Sequence, residues 1–427
     1  MRLDRRTFLK GVVASTAAAA APVAIVRPGW AQTGPIKLGI VEPQSGPVKY
    51  VGDNNIAAYR FATERINKSG GVLGRQLEIV VADSELKPDV ATRRANDLVL
   101  GDKVDFLVVN TGSNIAKAVS QVANQHHKVF FSTGTEAAEL TGEEFFDTTF
   151  RCCLNTDMHS AQIAVYFARM ASQKYSKFYL LNQDYNFGRA AADGFKKKFE
   201  RIKGANQQIV GEEYHPLQKT QDFGPYITKI MASGAEVVMT GNWGQDLRLL
   251  LQQGASLGWK VKVGNYFLND PTVLQAVGKA AVGHITADAY LITVDTPENK
   301  EFLKMWRARY PDAPVGYRYP DLTIGRCFYA VTWLGDVIKR AGGLDTAKLI
   351  KAWEGSKFKA AWGDVEMRAC DHQMLTKGYV AEILDPEKIP QPIRYFGNEF
   401  PYIGPATLIS QDEMTVPPRD TGNKRCA

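Results

Sequence analysis

The chain has 427 residues, 45% of them hydrophobic and 23% charged. Its first 31 residues hold five bases and one acid, so the remaining 396 carry 47 Lys and Arg against 44 Asp and Glu. A net charge of +3 on that length is too balanced to mark nucleic acid or anionic lipid as the main partner. The length exceeds the usual size of one hydrophobic core, which points to two lobes.

In chain order, the first element is a leader. Asp4-Arg5-Arg6-Thr7-Phe8-Leu9-Lys10 precedes an apolar stretch from Gly11 to Val26, and Gly29-Trp30-Ala31 offers small residues at the positions a signal peptidase reads. The twin arginines with Phe8-Leu9-Lys10 resemble a Tat-type export signal. The apolar run is about 16 residues, broken by Pro22 and rich in alanine, too short for a stable span. Residues 1–31 are therefore expected to be removed, with the working chain starting near Gln32 in a bacterial periplasm. ATP- or NAD-driven chemistry is not expected there. No later apolar segment approaches 18 residues, so the mature chain is expected to be soluble.

From Gln32 onward, short apolar runs alternate with amphipathic stretches. Ile36 to Val41 reads as a strand, Asn54 to Asn67 as a helix stopped by Gly70-Gly71, Leu77 to Ala82 as a strand and Asp89 to Leu100 as a helix. Val104–Val109, Val129–Phe131, Phe178–Leu181, Val237–Met239 and Val261–Val263 continue the strand series, each followed by polar residues. Such runs separated by helices of about 10–15 residues predict βαβ units and mostly parallel sheets. The beat is clear to about Tyr290. Beyond Ala360 it gives way to extended pieces such as Tyr379–Leu384 and a proline-rich tail from Pro390.

Ligands of open parallel sheets bind at the carboxyl ends of the strands, so the turns there carry the functional reading. They are Ser45-Gly46-Pro47, Asn110 to Asn114, Ser132 to Glu136, Asn182 to Gly188 and Thr240 to Asp246. Hydroxyls and free N–H groups at helix starts suit a carboxylate, and aromatic walls suit an apolar or planar body. Ser113, Ser132 and Thr135 could equally serve as N-caps.

Catalytic signatures are missing: no G-x-S-x-G elbow, no G-x-G-x-x-G after a strand, no P-loop, and no C-x-x-C or H-E-x-x-H metal spacing. Neither catalytic residues nor a metal or cofactor is expected. His126-His127 reads as a solvated turn, and His372 has no evident nucleophile. Five cysteines, an odd number, leave at least one thiol unpaired or available to another chain. Cys152 and Cys153 are too close in sequence to bond each other readily; one of them could bridge to Cys370 or Cys327.

Several motifs in this order resemble the leucine/isoleucine/valine-binding, type I family of periplasmic solute-binding proteins that serve ABC importers. They are Ser45-Gly46-Pro47, Ile66 to Gly74, Glu139-Leu140-Thr141, Asp184-Tyr185-x-Phe187-Gly188 and Met367 to Gln373. The resemblance covers nearly the whole mature chain. It implies two doubly wound α/β lobes joined by three hinge crossings, residues 32–154 with 286–370 and residues 155–285 with 371–427. A small organic solute, a branched-chain or other amino acid, would be held between them and passed to an inner-membrane ABC permease by a monomeric receptor.

By the same resemblance, Ser113 receives the solute carboxylate, and Gly134, Thr135 and Glu136 fall in the loop that grips carboxylate and ammonium. Glu136 stands where the family has a threonine. Tyr185 and Phe187 fall on the second lobe's aromatic contact, and Asp246 on the ammonium-binding acid. The acid pair Glu136 and Asp246 would favour an amine-bearing solute. Trp243 and Tyr50 add aromatic surface that keeps aromatic acids, amides and ureas in play. A ligand sensor for a signalling partner, or an exported enzyme on the same scaffold, are the rival functions.

Overall fold

In the computed structural model, residues 34–171, 174–388 and 402–427 are described, so the leader and residues 390–401 of the expected proline-rich tail lie outside them. The chain opens with β1 (Ile36–Glu42), α1 (Lys49–Lys68), β2 (Leu77–Asp83), α2 (Pro88–Leu100), β3 (Phe106–Val109), α3 (Ser113–Gln125), β4 (Val129–Ser132) and β5 (Thr149–Arg151). Every pairing among these strands is parallel, in the order β2-β1-β3-β4-β5. β3 and β4 are buried at every position, as a strand covered by helices on both faces requires.

The chain then crosses to a second sheet. It runs α4 (Thr156–Val165), β6 (Lys177–Gln183), α5 (Asn186–Ile202), β7 (Gln208–His215), α6 (Gly224–Ala232), β8 (Val237–Thr240), α7 (Gly244–Ser256), β9 (Lys262–Asn265), α8 (Pro271–Val277) and β10 (Ile285–Asp288). The parallel order here is β7-β6-β8-β9-β10. Both sheets thus reverse their winding beside their first strand, at β1/β3 and at β6/β8. Crevices open at such points, at the carboxyl ends.

After β10 come α9 (Pro297–Arg309), α10 (Val315–Arg318), α11 (Leu322–Ala341) and α12 (Thr346–Trp353). Asp321 starts α11 by accepting from Ile324 N at 2.9 Å, and Gly342, at φ 69°, ends it. α11 returns to pack along α1. A small antiparallel sheet of β11 (Lys357–Ala360), β12 (Gly363–Met367) and β13 (Met374–Leu375) precedes β14 (Gly378–Leu384), which pairs antiparallel with β10. β15 (Tyr402–Ile403), β16 (Thr407–Ile409) and α13 (Gln411–Met414) follow. Pro35–Ala427 is one compact unit.

The strands read from sequence are all present, with ends shifted by a residue or two. Two elements escape apolar periodicity. α1 begins at Lys49, not Asn54, because its first turn is polar and held by the Lys49–Asp53 ion pair at 2.6 Å. β7 is an edge strand carrying Glu212 and Glu213, which pair with Lys196 and Lys229; charges on such an edge discourage pairing with another chain.

The odd cysteine count leaves free thiols as expected, but the possible bridge from Cys152 or Cys153 is not formed. Cys370 bonds Cys426, and Cys152, Cys153 and Cys327 are buried free thiols. The C-terminal segment brings Cys426 to Cys370. Asn423 Nδ2 donates to Thr141 O at 2.9 Å, and Arg425 pairs with Glu354 at 2.7 Å and Asp147 at 3.1 Å. His372 stacks on Phe150 at 4.0 Å and sits 2.9 Å from a Glu354 oxygen, a packing role. His126 bonds Asn96 at 3.0 Å and His127 is exposed, in keeping with a turn.

Candidate functional site

The turns that follow the strands of both sheets converge on one cavity. From the first sheet it is lined by Val51 and Asn54 on α1, Asn110 to Ser113 after β3, and Gly134 after β4. From the second come Tyr185 and Phe187 after β6, Trp243 and Gly244 after β8, and Phe267 and Asp270 after β9. Asp321, Leu322 and Thr323 at the head of α11 complete it.

The first-sheet side is polar and rigid. Gly112 adopts φ 90°, which lets the chain turn from β3 into α3 where a side chain would be strained. Ser113 Oγ accepts from the amides of Glu136 at 3.2 Å and Ala137 at 3.1 Å, which leaves its proton free to donate. Arg151 holds the same peptides from behind, donating to Glu136 O at 2.8 Å and Ala137 O at 2.7 Å.

Below this turn, buried Glu42 accepts from Asn110 N, from Thr111 Oγ1 at 2.6 Å and from Asn55 Nδ2 at 3.1 Å. Burial outweighs these donors and pushes its carboxyl up to about 7. A raised native value gives stability that is full below the ordinary 4.5 and is lost as pH rises through about 7. Glu42→Ala, which strands three buried donors, is expected to cost about 2–4 kcal/mol in urea unfolding. Glu42→Gln is expected to flatten the stability change between the two pH values.

The second-sheet side is aromatic. Trp243 Nε1 donates to Tyr185 Oη at 2.9 Å, and Phe187 lies 5.7 Å from Tyr185 and 5.9 Å from Phe267 between ring centroids. Gly188 permits this wall: a Cβ there would lie 1.9 Å from Gln183 O, so only glycine lets α5 start so close to β6. Among the described residues, two hydrogen bonds join the cleft's two sides. Tyr50 Oη donates to Asp270 Oδ2 at 3.1 Å, and Asn186 Nδ2 to Glu139 Oε1 at 2.8 Å.

Of the residues singled out by sequence, Ser113, Gly134, Tyr185, Phe187 and Trp243 line the cavity, and Thr135, Glu136 and Asp246 do not. Thr135 bonds back to Ser132 within its own loop. Asp246 accepts from Gln183 Nε2 at 2.7 Å and Gln218 N at 2.8 Å, so it fastens the neighbouring loop, and burial raises its carboxyl. Glu136 directs its carboxylate to Arg326, 2.7 Å away, in a fully buried cluster with His159 and Asp288. The expected acid pair Glu136/Asp246 is therefore replaced by Asp270 and Asp321. The rule that located the other turns also applies to Asn269-Asp270-Pro271 after β9. Asp321 lies in the stretch where the βαβ beat fades, although Asp-Leu-Thr before an apolar run is an N-cap signal.

A family model of periplasmic binding proteins matches residues 35–387. The chain belongs to that family. It is 26% identical over 436 aligned residues, 98% of each chain, to Leu/Ile/Val-binding protein homolog 4 of Brucella abortus (strain 2308). It is 25% identical to the leucine-, isoleucine-, valine-, threonine- and alanine-binding protein of Pseudomonas aeruginosa over 331 residues, 77% of this chain and 85% of that one. Among solved structures, the protein of the same description from Brucella ovis, in a closed conformation, superposes with a TM-score of 0.79 at 25% identity, covering 90% of this chain and 97% of that one. An ABC-transporter solute-binding protein from Rhodopseudomonas palustris BisB5, in complex with 3,4-dihydroxybenzoic acid, superposes at 0.76 with 21% identity, covering 88% of this chain and 97% of that one. These relatives are binding proteins, and the fold is that of type I periplasmic binding proteins. Among the described residues no helix is long and apolar enough to cross a membrane.

Proposed function

We propose that this periplasmic binding protein captures an amino acid or a close relative in the cleft and hands it to an inner-membrane ABC permease. The observation that carries this reading is the cavity's division of labour, with hydrogen-bond donors on one sheet and aromatic rings on the other. Ser113 Oγ and the start of α3 take the carboxylate, Asp270 the ammonium, and Tyr185, Phe187, Trp243 and Phe267 the side chain. Gly134 keeps the backbone close to the carboxylate end. Thr135, Glu136 and Asp246 act behind these contacts. The names of the Brucella and Pseudomonas relatives support an amino acid as solute.

Hinge closure is the mechanism, with no chemistry performed. The sequence places the second crossing at 285/286, but β10 pairs in the second sheet up to Asp288, so the lobes become residues 32–154 with 289–370 and residues 155–288 with 371–427. Only a solute that touches both lobes stabilises the closed state. The receptor works as a monomer in the periplasm after export by its Tat-type leader.

A screen of amino acids by thermal shift tests the reading, since a solute bound only by the folded state raises the midpoint. Ser113→Ala is expected to weaken the best hit by at least about tenfold, the loss of one charge-assisted hydrogen bond, and also to lower the ligand-free midpoint, because the buried Glu136 and Ala137 amides lose their acceptor. Undiminished affinity would remove Ser113 from the site. The four-ring wall favours an aromatic acid as second reading, and a shift with 4-hydroxybenzoate but with no amino acid would select it.

A further inference from the structure

Asp270 and Asp321 reach the cavity from opposite sides. Asp270 caps α8 beyond β9 of the second sheet, accepting from Thr272 N at 2.8 Å. Asp321 caps α11, the helix packed on α1 of the first sheet. Both are more than nine-tenths buried, 8% and 6% exposed. Among the described residues neither pairs with a lysine, arginine or histidine. Asp270 uses both oxygens, Oδ1 on its helix and Oδ2 on Tyr50 Oη. Asp321, which lines the cavity, spends Oδ1 on Thr323 Oγ1 and Ile324 N, each at 2.9 Å, and among the described residues its Oδ2 has no hydrogen-bond partner.

Two desolvated carboxylates in one cavity repel each other, and a neutral or singly zwitterionic occupant leaves that repulsion in place. Burial, then the nearby Asp270, push the Asp321 carboxyl up to about 7, as expected where no cation offsets two neighbouring acids. The aromatic rings opposite also attract a cation through their faces.

We propose that Asp321 is a second anionic contact that sets specificity, so that the cleft selects solutes carrying more positive than negative charge, of the basic amino acid class, over aliphatic amino acids. This rests on the amino-acid reading of the same cleft. One ammonium or guanidinium group meets Asp270 and another donor meets Asp321 Oδ2, bringing the two lobes together by charge.

The test is calorimetric titration of the full mature chain with L-arginine, L-lysine, 1,4-diaminobutane, L-leucine and 4-hydroxybenzoate, in wild type and in Asp321→Asn. Asparagine is as good an N-cap as aspartate, so α11 keeps its start. The expected result is that arginine or lysine binds at least tenfold more tightly than leucine, and that Asp321→Asn abolishes or reverses that order. Leucine binding best in wild type, or an equal loss for every solute in Asp321→Asn, would overturn the inference and leave the amino-acid reading standing. Binding of 4-hydroxybenzoate with no response to any amine or amino acid would overturn both.

Discussion

Arg326→Met is expected to lower unfolding stability by about 3–5 kcal/mol, the usual result of removing one member of a buried charge cluster. Arg326 on α11 meets Glu136 from the first sheet and Asp288 at the end of β10 in the second, and its Nη2 lies 3.2 Å from His159 Nε2. All four side chains are fully buried. The cluster sits where the chain passes between the sheets, and the guanidinium occupies the place a metal ion would take among Glu136, His159 and Asp288. Without it, two carboxylates are left in a fully buried site with only a histidine that burial keeps from charging readily.

The pH response of the variant identifies the cause. Burial alone would push the Glu136 carboxyl up, but His159 and Arg326 beside it hold it below its ordinary value. Such a group adds stability above its unfolded value, and that stability is lost as pH falls through the lowered native value. With methionine at 326 the same carboxyl is raised instead, so the variant is expected to gain more stability than wild type on going from about pH 7 to about pH 5, beyond the gain that Glu42 gives both proteins. Urea unfolding at both pH values measures this. An equal change in both proteins would show that Arg326 contributes packing and not charge. Adding Glu136→Gln and Asp288→Asn to the variant is expected to restore part of the loss.

Cys426→Ser is expected to cost about 2–4 kcal/mol, because the Cys370–Cys426 bond closes a loop of 56 residues and so restricts the unfolded chain. The same bond fastens a tail that is also held by polar contacts to the body of the protein. Lys198 Nζ donates to Glu413 O at 2.5 Å and Arg368 to Val416 O at 3.0 Å, followed by the Asn423 and Arg425 contacts. Limited proteolysis is expected to cut near Pro417 to Arg425 in the serine variant and in reduced wild type, but not in the oxidised protein. Equal resistance in all three would show that the polar contacts suffice.

These two effects mark what sequence reading reached. Apolar periodicity found the strands because β3 and β4 are buried on both faces, and a buried run is visible wherever it occurs. It missed β7, whose alternation is masked by surface charge, and it placed the start of α1 late, since a polar first turn has no apolar stripe. The turns after the strands were located for a general reason: carboxyl ends of parallel strands all point one way. Hence Ser113, Gly134, Tyr185, Phe187 and Trp243 arrive at one cavity.

Which acids face that cavity was settled differently. Glu136 is one residue from Thr135 and two from Gly134, yet its carboxylate leaves the cleft for Arg326, 190 positions along the chain. Asp246 turns to Gln183 and the Gln218 amide. Asp270 and Asp321 take their place because two helix caps, 51 residues apart, meet across the cleft. Local pattern by itself determined the sheets, their parallel sense, and the end of each at which a ligand would sit, since those depend on neighbours in sequence. Only the tertiary structure decided the charge inside the cleft and the partner of Cys370, because pairing across 50 to 200 residues depends on where helices pack and leaves no trace in local sequence.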